Sequence, residues 1–184
     1  MKETCKNRQV FLFLLAVALF NETHQTITVF LSQLQYVRAG ISNSMMGVLY
    51  GLITVAALCG FCSARVTKKL GESVMIHICF FTTILSCIAL AFIQLPIVSV
   101  AGILCIRIAF SIFSPLQIEL QNRQVTTSNR ATALSVNSVF IDSIGIGTNV
   151  IFGAVAEHSL IGAFGIGAVL CLVGWIMIKR SIAQ

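Results

Sequence analysis

Charged residues are scarce in this sequence: they make up 10% of its 184 residues, whereas an ordinary soluble domain carries about 25%. Hydrophobic residues reach 57%, and the mean hydropathy is +0.95. The shortage of charge runs along the whole length, so no segment is left for a soluble domain and none forms a basic tail suited to nucleic acid. The composition indicates an integral membrane protein that is surrounded by a lipid bilayer and has no nucleic-acid partner.

The sequence also lacks the motifs of an intramembrane enzyme. It has no Gly-x-Ser-Gly turn to carry a nucleophilic serine, and it has no paired acidic metal motif. Cys59 and Cys62 form one Cys-x-x-Cys pair, but no second pair and no His cluster accompanies it, so the spacing does not indicate a metal site. Because six of the seven cysteines lie in apolar runs, we expect them to be small packing residues. We therefore expect no catalytic residue, no metal and no other cofactor.

Long apolar runs fill the chain instead. At roughly 20 apolar residues per span, 184 residues accommodate six helices with short loops. The sequence predicts an all-α membrane protein with a single six-helix transmembrane domain over residues 1–184. The predicted helices cover residues 10–36, 44–63, 74–93, 96–120, 130–155 and 160–178. The basic residues before Val10–Phe20 also suit a secretory signal peptide, but no small-residue cleavage pattern follows, so this run is kept as the first span.

Positively charged residues are confined almost entirely to alternate loops. Arg38 lies on one predicted side of the membrane, and Arg107 lies inside the fourth helix. The other Lys and Arg all fall on the opposite side: Lys2, Lys6, Arg8, Arg65, Lys68, Lys69, Arg123, Arg130, Lys179 and Arg180. Since cytoplasmic loops carry the excess of Lys and Arg, we predict a multi-pass protein of the cell membrane with both termini in the cytoplasm.

A short polar stretch interrupts the first helix at Asn21–Thr26. Glu22 lies roughly 18 Å from the start of the apolar run at about 1.5 Å per residue, which is near the bilayer midplane. An ionisable side chain at that depth costs at least about 2.5 kcal/mol, so it usually faces a cavity and marks a pathway. We therefore predict that Asn21, Glu22, His24 and Gln25 line a substrate or ion pathway.

Two other helices carry polar stripes at helical spacing. In the fifth helix, residues three or four apart share one face: Ser135, Ser138, Asp142, Gly145 and Asn149. In the fourth helix, Arg107, Ser111 and Ser114 do the same. Arg107 and Asp142 lie about ten residues into their helices, near the depth of Glu22. We expect the first, fourth and fifth helices to face a polar interior, and the third and sixth helices to face lipid.

Small residues form a further kind of surface. Gly47 and Gly51 make a GxxxG step in the second helix, and the fifth helix carries Gly145, Gly147 and Gly153. Such residues let another helix approach closely. The spacing leaves open whether that helix belongs to this chain.

A faint internal repeat relates the first three helices to the last three. Two short identities recur at one offset, which also pairs Asn21 with Arg107: Leu34-Gln35 with Leu120-Gln121, and Ser42-Asn43 with Ser128-Asn129. Two repeats of three helices would be inverted in the membrane, which is a transporter architecture.

Two loops resemble those of a known family. Residues 122–125, followed by residues 130–135, resemble the cytoplasmic loop that enters the penultimate helix of a major facilitator superfamily transporter. Gly60, Ala64-Arg65 and residues 68–72 resemble the loop between the second and third helices of a half of such a transporter. The usual acidic residue of that loop is missing, and Ala64 or Arg65 occupies its neighbourhood, which is more typical of the second half.

The resemblance implies one half of a twelve-helix fold, the C-terminal half, whose first and fourth helices face a central cavity. It implies half of a secondary active transporter that moves a small solute by alternating access with ion coupling. Glu22 or Asp142 would be a proton-coupling or substrate carboxylate, and Arg107 a counter-charge or anion site. The partner would be an N-terminal half-transporter or a second copy. Two alternatives stay open: a truncated, non-transporting fragment or assembly partner, and three charges that merely neutralise one another between packed helices.

Overall fold

The computed structural model describes residues 8–125 and 130–182. Within that part the chain folds into six long helices without a strand, and each helix is long and apolar enough to cross a membrane. The prediction of an all-α, six-span fold is therefore confirmed. The six helices are α1 (Arg8–Arg38), α2 (Asn43–Leu70), α3 (Glu72–Phe92), α4 (Pro96–Gln124), α5 (Arg130–His158) and α6 (Leu160–Ile182). Lys2, Cys5, Lys6 and the Ser128-Asn129 pair of the suggested repeat lie outside the described residues.

Several helices run further than the hydropathy indicates. Residues 65–70 and 121–124, which the sequence predicts as loops, are helical, and α5 continues through the predicted turn to His158. Hydropathy locates only the segment that suits hydrocarbon, and polar residues beyond that segment continue a helix until a breaker is reached. In α2 the breaker is Gly71, whose φ of 90° is open to glycine but strained for other residues.

Helix α1 changes its winding at the end of its polar stretch. Residues Thr26–Leu31 form a π-helical segment, so this long span is irregular near its polar centre. The local sequence supplies a cause, because β-branched residues run from Thr26 to Val29 and crowd a regular helix. In addition, the hydroxyl groups of Thr28 and Ser32 donate to backbone carbonyl oxygens four residues earlier, at 2.8 and 2.9 Å.

Helix α1 is the most deeply buried of the six spans. Its Phe20 packs against Phe80 of α3 and Phe113 of α4, with ring centroids 4.7 and 4.8 Å apart. Glycines of α6 permit close approach on another side, since Gly167 lies against Thr23 and Ile27, and Gly174 lies against Ala16. These contacts fix the rotation of α1, and so they decide which neighbour each of its polar side chains meets.

The outer faces of the bundle are apolar. Helix α3 exposes a stripe at helical spacing: Val74, Ile78, Phe81, Leu85, Ile88 and Phe92. Helix α6 exposes Ile161, Val169, Leu172 and Ile176, so both helices present apolar surfaces of the kind that we expect to face lipid. Helix α2 also exposes large apolar side chains: Met45, Val48, Leu52, Val55, Leu58 and Phe61.

Candidate functional site

Glu22 lies buried at the interface between α1 and α5, with only 7% of its surface exposed. Its Oε2 accepts a hydrogen bond from Nδ2 of Asn149 at 3.1 Å. The other side-chain atom of that amide, Oδ1, accepts from the hydroxyl group of Thr26 at 2.7 Å. Because Glu22 and Thr26 are one turn apart on α1, a single amide of α5 binds two polar side chains of α1 and links the helices at this depth.

Gly145 makes this contact possible. A Cβ built on Gly145 would lie 2.5 Å from Oε1 of Glu22 and 2.6 Å from its Cδ. The glycine leaves the carboxyl group room against the backbone of α5, and a larger residue would require that group to move.

A second polar contact joins α1 to α4. Nη1 of Arg107 lies 3.2 Å from Nε2 of His24. A guanidinium group only donates hydrogen bonds, so Nε2 must be the accepting nitrogen and the imidazole must be neutral in this contact. The His24 ring stacks on Phe110 with a centroid distance of 3.7 Å and an interplanar angle of 3°. The imidazole therefore has a fixed plane and a fixed acceptor direction.

The three charged side chains at this depth are not paired with one another. Among the described residues, no ion pair within 4 Å joins any two of Glu22, Arg107 and Asp142. Both ion pairs found among the described residues involve Arg123, at the end of α4. Arg123 pairs with Glu72 at 2.7 Å and with Glu119 at 2.5 Å. The described structure therefore does not show Glu22, Arg107 and Asp142 directly neutralising one another.

A cavity of about 470 Å³ begins beside the Glu22 contact, between α1 and α5. Gln25, Thr26 and Asn149 line its polar end. Apolar and small residues line the rest as the two helices continue: Phe30, Leu31, Leu34, Phe152, Gly153 and Ala156. Helix α5 packs along the first part of α1 but hardly against the π segment, so the two helices separate where the cavity lies.

Of the remaining predicted site residues, two are at least half-buried and three are exposed. Asn21 is half-buried, and its Oδ1 has no hydrogen-bond partner in the described part of the chain. Ser111 is buried, and its hydroxyl group donates to the carbonyl oxygen of Arg107 at 2.8 Å. Gln25, Ser138 and Asp142 are exposed. Of the predicted site residues, the structure therefore brings Glu22 into contact with Asn149 and His24 into contact with Arg107. Ser138 and Asp142 are exposed on α5.

Comparison with known protein families decides the class of this membrane protein. The sequence model described as Major Facilitator Superfamily matches residues 1–149, which is more than half of the chain. The chain belongs to the Major Facilitator Superfamily. No curated protein and no solved structure matches it. Membership makes the chain a multi-pass membrane protein of a class that transports small solutes, and its six-helix bundle is consistent with half of a superfamily fold.

Two residues of this candidate site do not follow from the polar stripes. Thr26 bonds to Asn149, and Phe110 carries the stacked ring of His24. Thr26 lies four residues after Glu22, so a search for side chains that share the face of Glu22 would have found it. Phe110 gives no such signal, because an aromatic residue in an apolar helix looks like any other packing residue.

Proposed function

We propose that this chain is one half of a secondary active transporter that moves a small solute across the cell membrane by alternating access, coupled to an ion. The observation that carries the proposal is the buried carboxyl group of Glu22, bonded to Asn149 of α5 at 3.1 Å. A carboxyl group in the middle of a membrane span is costly to keep there. A role in gaining and losing a proton beside a cavity accounts for that cost.

The cavity beside Glu22 supports a solute pathway. Its polar end is lined by Gln25, Thr26 and Asn149, and a few convergent polar groups in an otherwise apolar pocket are typical of small-molecule sites. In this proposal Asn21, Gln25 and Ser111 are polar lining, and Asp142 and Ser138 border the pathway on α5. A movement of α5 relative to α1 would break or form the bond between Glu22 and Asn149, which links protonation to the opening of the cavity.

An open helix face supports the need for a second half. A Cβ built on Gly47 or Gly51 of α2 would meet no atom within 4 Å, although a GxxxG step is a typical contact between membrane helices. Large apolar side chains are exposed on the same helix. We propose that an N-terminal half-transporter or a second copy covers this face, and that both termini lie in the cytoplasm as the distribution of Lys and Arg indicates.

The direct test compares the chain with its assembly. The chain is tagged in its native cells and purified in mild detergent with whatever membrane protein accompanies it, and the chain alone is purified in parallel. Both samples are reconstituted into liposomes that contain a pH-sensitive dye, and a panel of organic acids, amines, sugars and amino acids is added under a proton gradient. We expect at least one solute to move protons through the assembly and none through liposomes that each hold one copy of the chain alone.

Two results would contradict the proposal. Full transport by the single chain would remove the need for a second half. An assembly that associates through α2 but responds to no solute would instead favour a non-transporting assembly partner, the alternative that the open face of Gly47 and Gly51 also supports.

A further inference from the structure

We propose that Arg107 binds the anionic group of the transported solute, a carboxylate, through the edge of its guanidinium group that the described residues leave free. This inference rests on the proposed transport function and adds the chemical class of the solute. It starts from a positive charge that has no negative partner within the described chain.

The contacts of Arg107 occupy only one corner of its guanidinium group. Nη1 faces Nε2 of His24 at 3.2 Å, whereas the buried Nε has no hydrogen-bond partner among the described residues. No carboxylate of those residues lies within 4 Å of the group. A buried donor without an acceptor is costly, and so is a charge at this depth without a counter-charge.

The free part of the group has a definite shape. The N–H of Nε and one N–H of Nη2 point in the same direction along one edge, with the spacing of two carboxylate oxygens. Because Nη1 is held by an imidazole whose plane is fixed against Phe110, that edge has a defined orientation. Arg107 is only partly buried, so part of its side chain is open to a bound solute.

The carboxyl groups of the described residues do not serve as this partner. Glu22 and His24 are two residues apart, which turns their side chains about 200° from each other around α1. Glu22 accordingly faces Asn149 of α5, while His24 faces Arg107 of α4. Asp142 is exposed on α5. The acceptor for the free edge therefore comes from outside these residues, and a solute carboxylate fits its geometry.

The test measures thermal unfolding of the full chain in nanodiscs of phosphatidylcholine, which carries no net charge. The probes are pairs of an acid and its amide that differ in charge but hardly in size: acetate and acetamide, butanoate and butanamide, benzoate and benzamide, succinate and succinamide. At least one acid should raise the unfolding temperature while its amide does not. In Arg107→Met the affinity for that acid should fall about 10- to 100-fold. Arg107→Lys should recover only part of it, because a lysine cannot form the paired contact.

Arg38→Met is the matched control, since the hydrogen bonds of Arg38 among the described residues go to the carbonyl oxygen of Ala91, at 3.5 Å, and this variant should bind the acid like the unchanged chain. The inference is overturned if acids and amides act alike for every pair, in the chain and in the purified assembly. It is also overturned if Arg107→Met keeps the preference for the acid. A stabilisation that needs only added phosphatidylglycerol and that is lost in Arg107→Met would assign the edge to a lipid headgroup and contradict a solute site.

The two proposals can fail separately. Transport that persists unchanged in Arg107→Met would remove the anion site and leave the transporter intact. Acid binding that depends on Arg107, without transport in any assembly, would keep the site and remove the transport function.

Discussion

Gly145 of α5 lies directly against the carboxyl group of Glu22 of α1. A side chain at position 145 would place its first carbon 2.5 Å from Oε1 of Glu22, closer than atoms of this kind approach in proteins. The backbone of α5 and the carboxyl group of α1 are thus in contact, and the hydrogen bond from Asn149 holds that contact from one turn further along. Gly145 therefore determines whether the carboxyl group of Glu22 fits in this position between α1 and α5.

The first prediction concerns Gly145→Ala. The added methyl group should push the carboxyl group of Glu22 away from Asn149 and destabilise the fold by about 1–3 kcal/mol, the usual cost of overpacking. Gly147→Ala is the control, because a Cβ there meets no atom within 4 Å. Thermal unfolding of the purified chain measures both. The cost should largely disappear in a Glu22→Ala background, and an equal cost in that background would contradict the contact.

The second prediction concerns the amide that bonds to two residues of α1. Asn149→Ala leaves Glu22 and Thr26 without their partner, and it should cost about 1–3 kcal/mol because buried polar groups lose their hydrogen bonds. Glu22→Gln should be milder, since an amide oxygen can still accept from Asn149. A double-mutant cycle should show that Glu22 and Asn149 are coupled by about 0.5–3 kcal/mol. Additive effects would mean that the two side chains do not interact.

The sequence indicates where these polar residues lie along their helices, but not which partners they meet. Glu22 could be placed near the midplane from helical rise alone, but its bond to Asn149 depends on how far α1 and α5 are rotated. Asp142 belongs to the same polar stripe as Asn149. Within that stripe Gly145 and Asn149 contact Glu22 of α1, whereas Asp142 is exposed. Periodicity defines a face of one helix, whereas a contact requires the rotation of two helices, which packing across the whole bundle sets.

The winding of α1 also depends on contacts between helices that the sequence does not reveal. The structure has a π segment at Thr26–Leu31, where the polar stretch ends. Its position after Gln25 reflects hydroxyl contacts to the backbone and the fit of Ile27 against Gly167 of α6. Contacts between helices that lie far apart in the sequence cannot be obtained from local spacing.

The third prediction separates the stacking of His24 on Phe110 from its contact with Arg107. His24→Phe keeps an aromatic ring that can stack on Phe110 but removes the acceptor for Arg107, so the fold should lose about 1–3 kcal/mol for the unpaired donor, and acid binding at Arg107 should weaken. His24→Ala removes the ring as well and should cost about 0.5–1.5 kcal/mol more through the lost stacking alone. Thermal unfolding and the acid–amide comparison measure the two effects. Equal stability of the two variants would indicate that the stacked geometry contributes nothing.

The fourth prediction compares two glycines of α2: Gly51, where a built Cβ meets no atom within 4 Å, and Gly60, which lies against Ser111 of α4. Gly51→Leu should leave the stability of the single chain unchanged and prevent its association, because a side chain at Gly51 meets nothing within the chain. Gly60→Leu should destabilise the single chain, because a Cβ there would lie 3.0 Å from the carbonyl oxygen of Ser111. Unfolding of the chain and cross-linking in native membranes provide the measurements. Normal association of Gly51→Leu would place the partner elsewhere.

The most direct test of the central claim replaces Glu22 with Gln in the reconstituted assembly. Two rates are measured for one transported solute: accumulation driven by a proton gradient, and exchange of labelled for unlabelled solute without a gradient. If Glu22 carries the coupling proton, Glu22→Gln should abolish gradient-driven accumulation and retain exchange, because the solute pathway stays intact. Accumulation at the rate of the unchanged assembly would contradict the account, since the buried carboxyl group would then have no part in coupling.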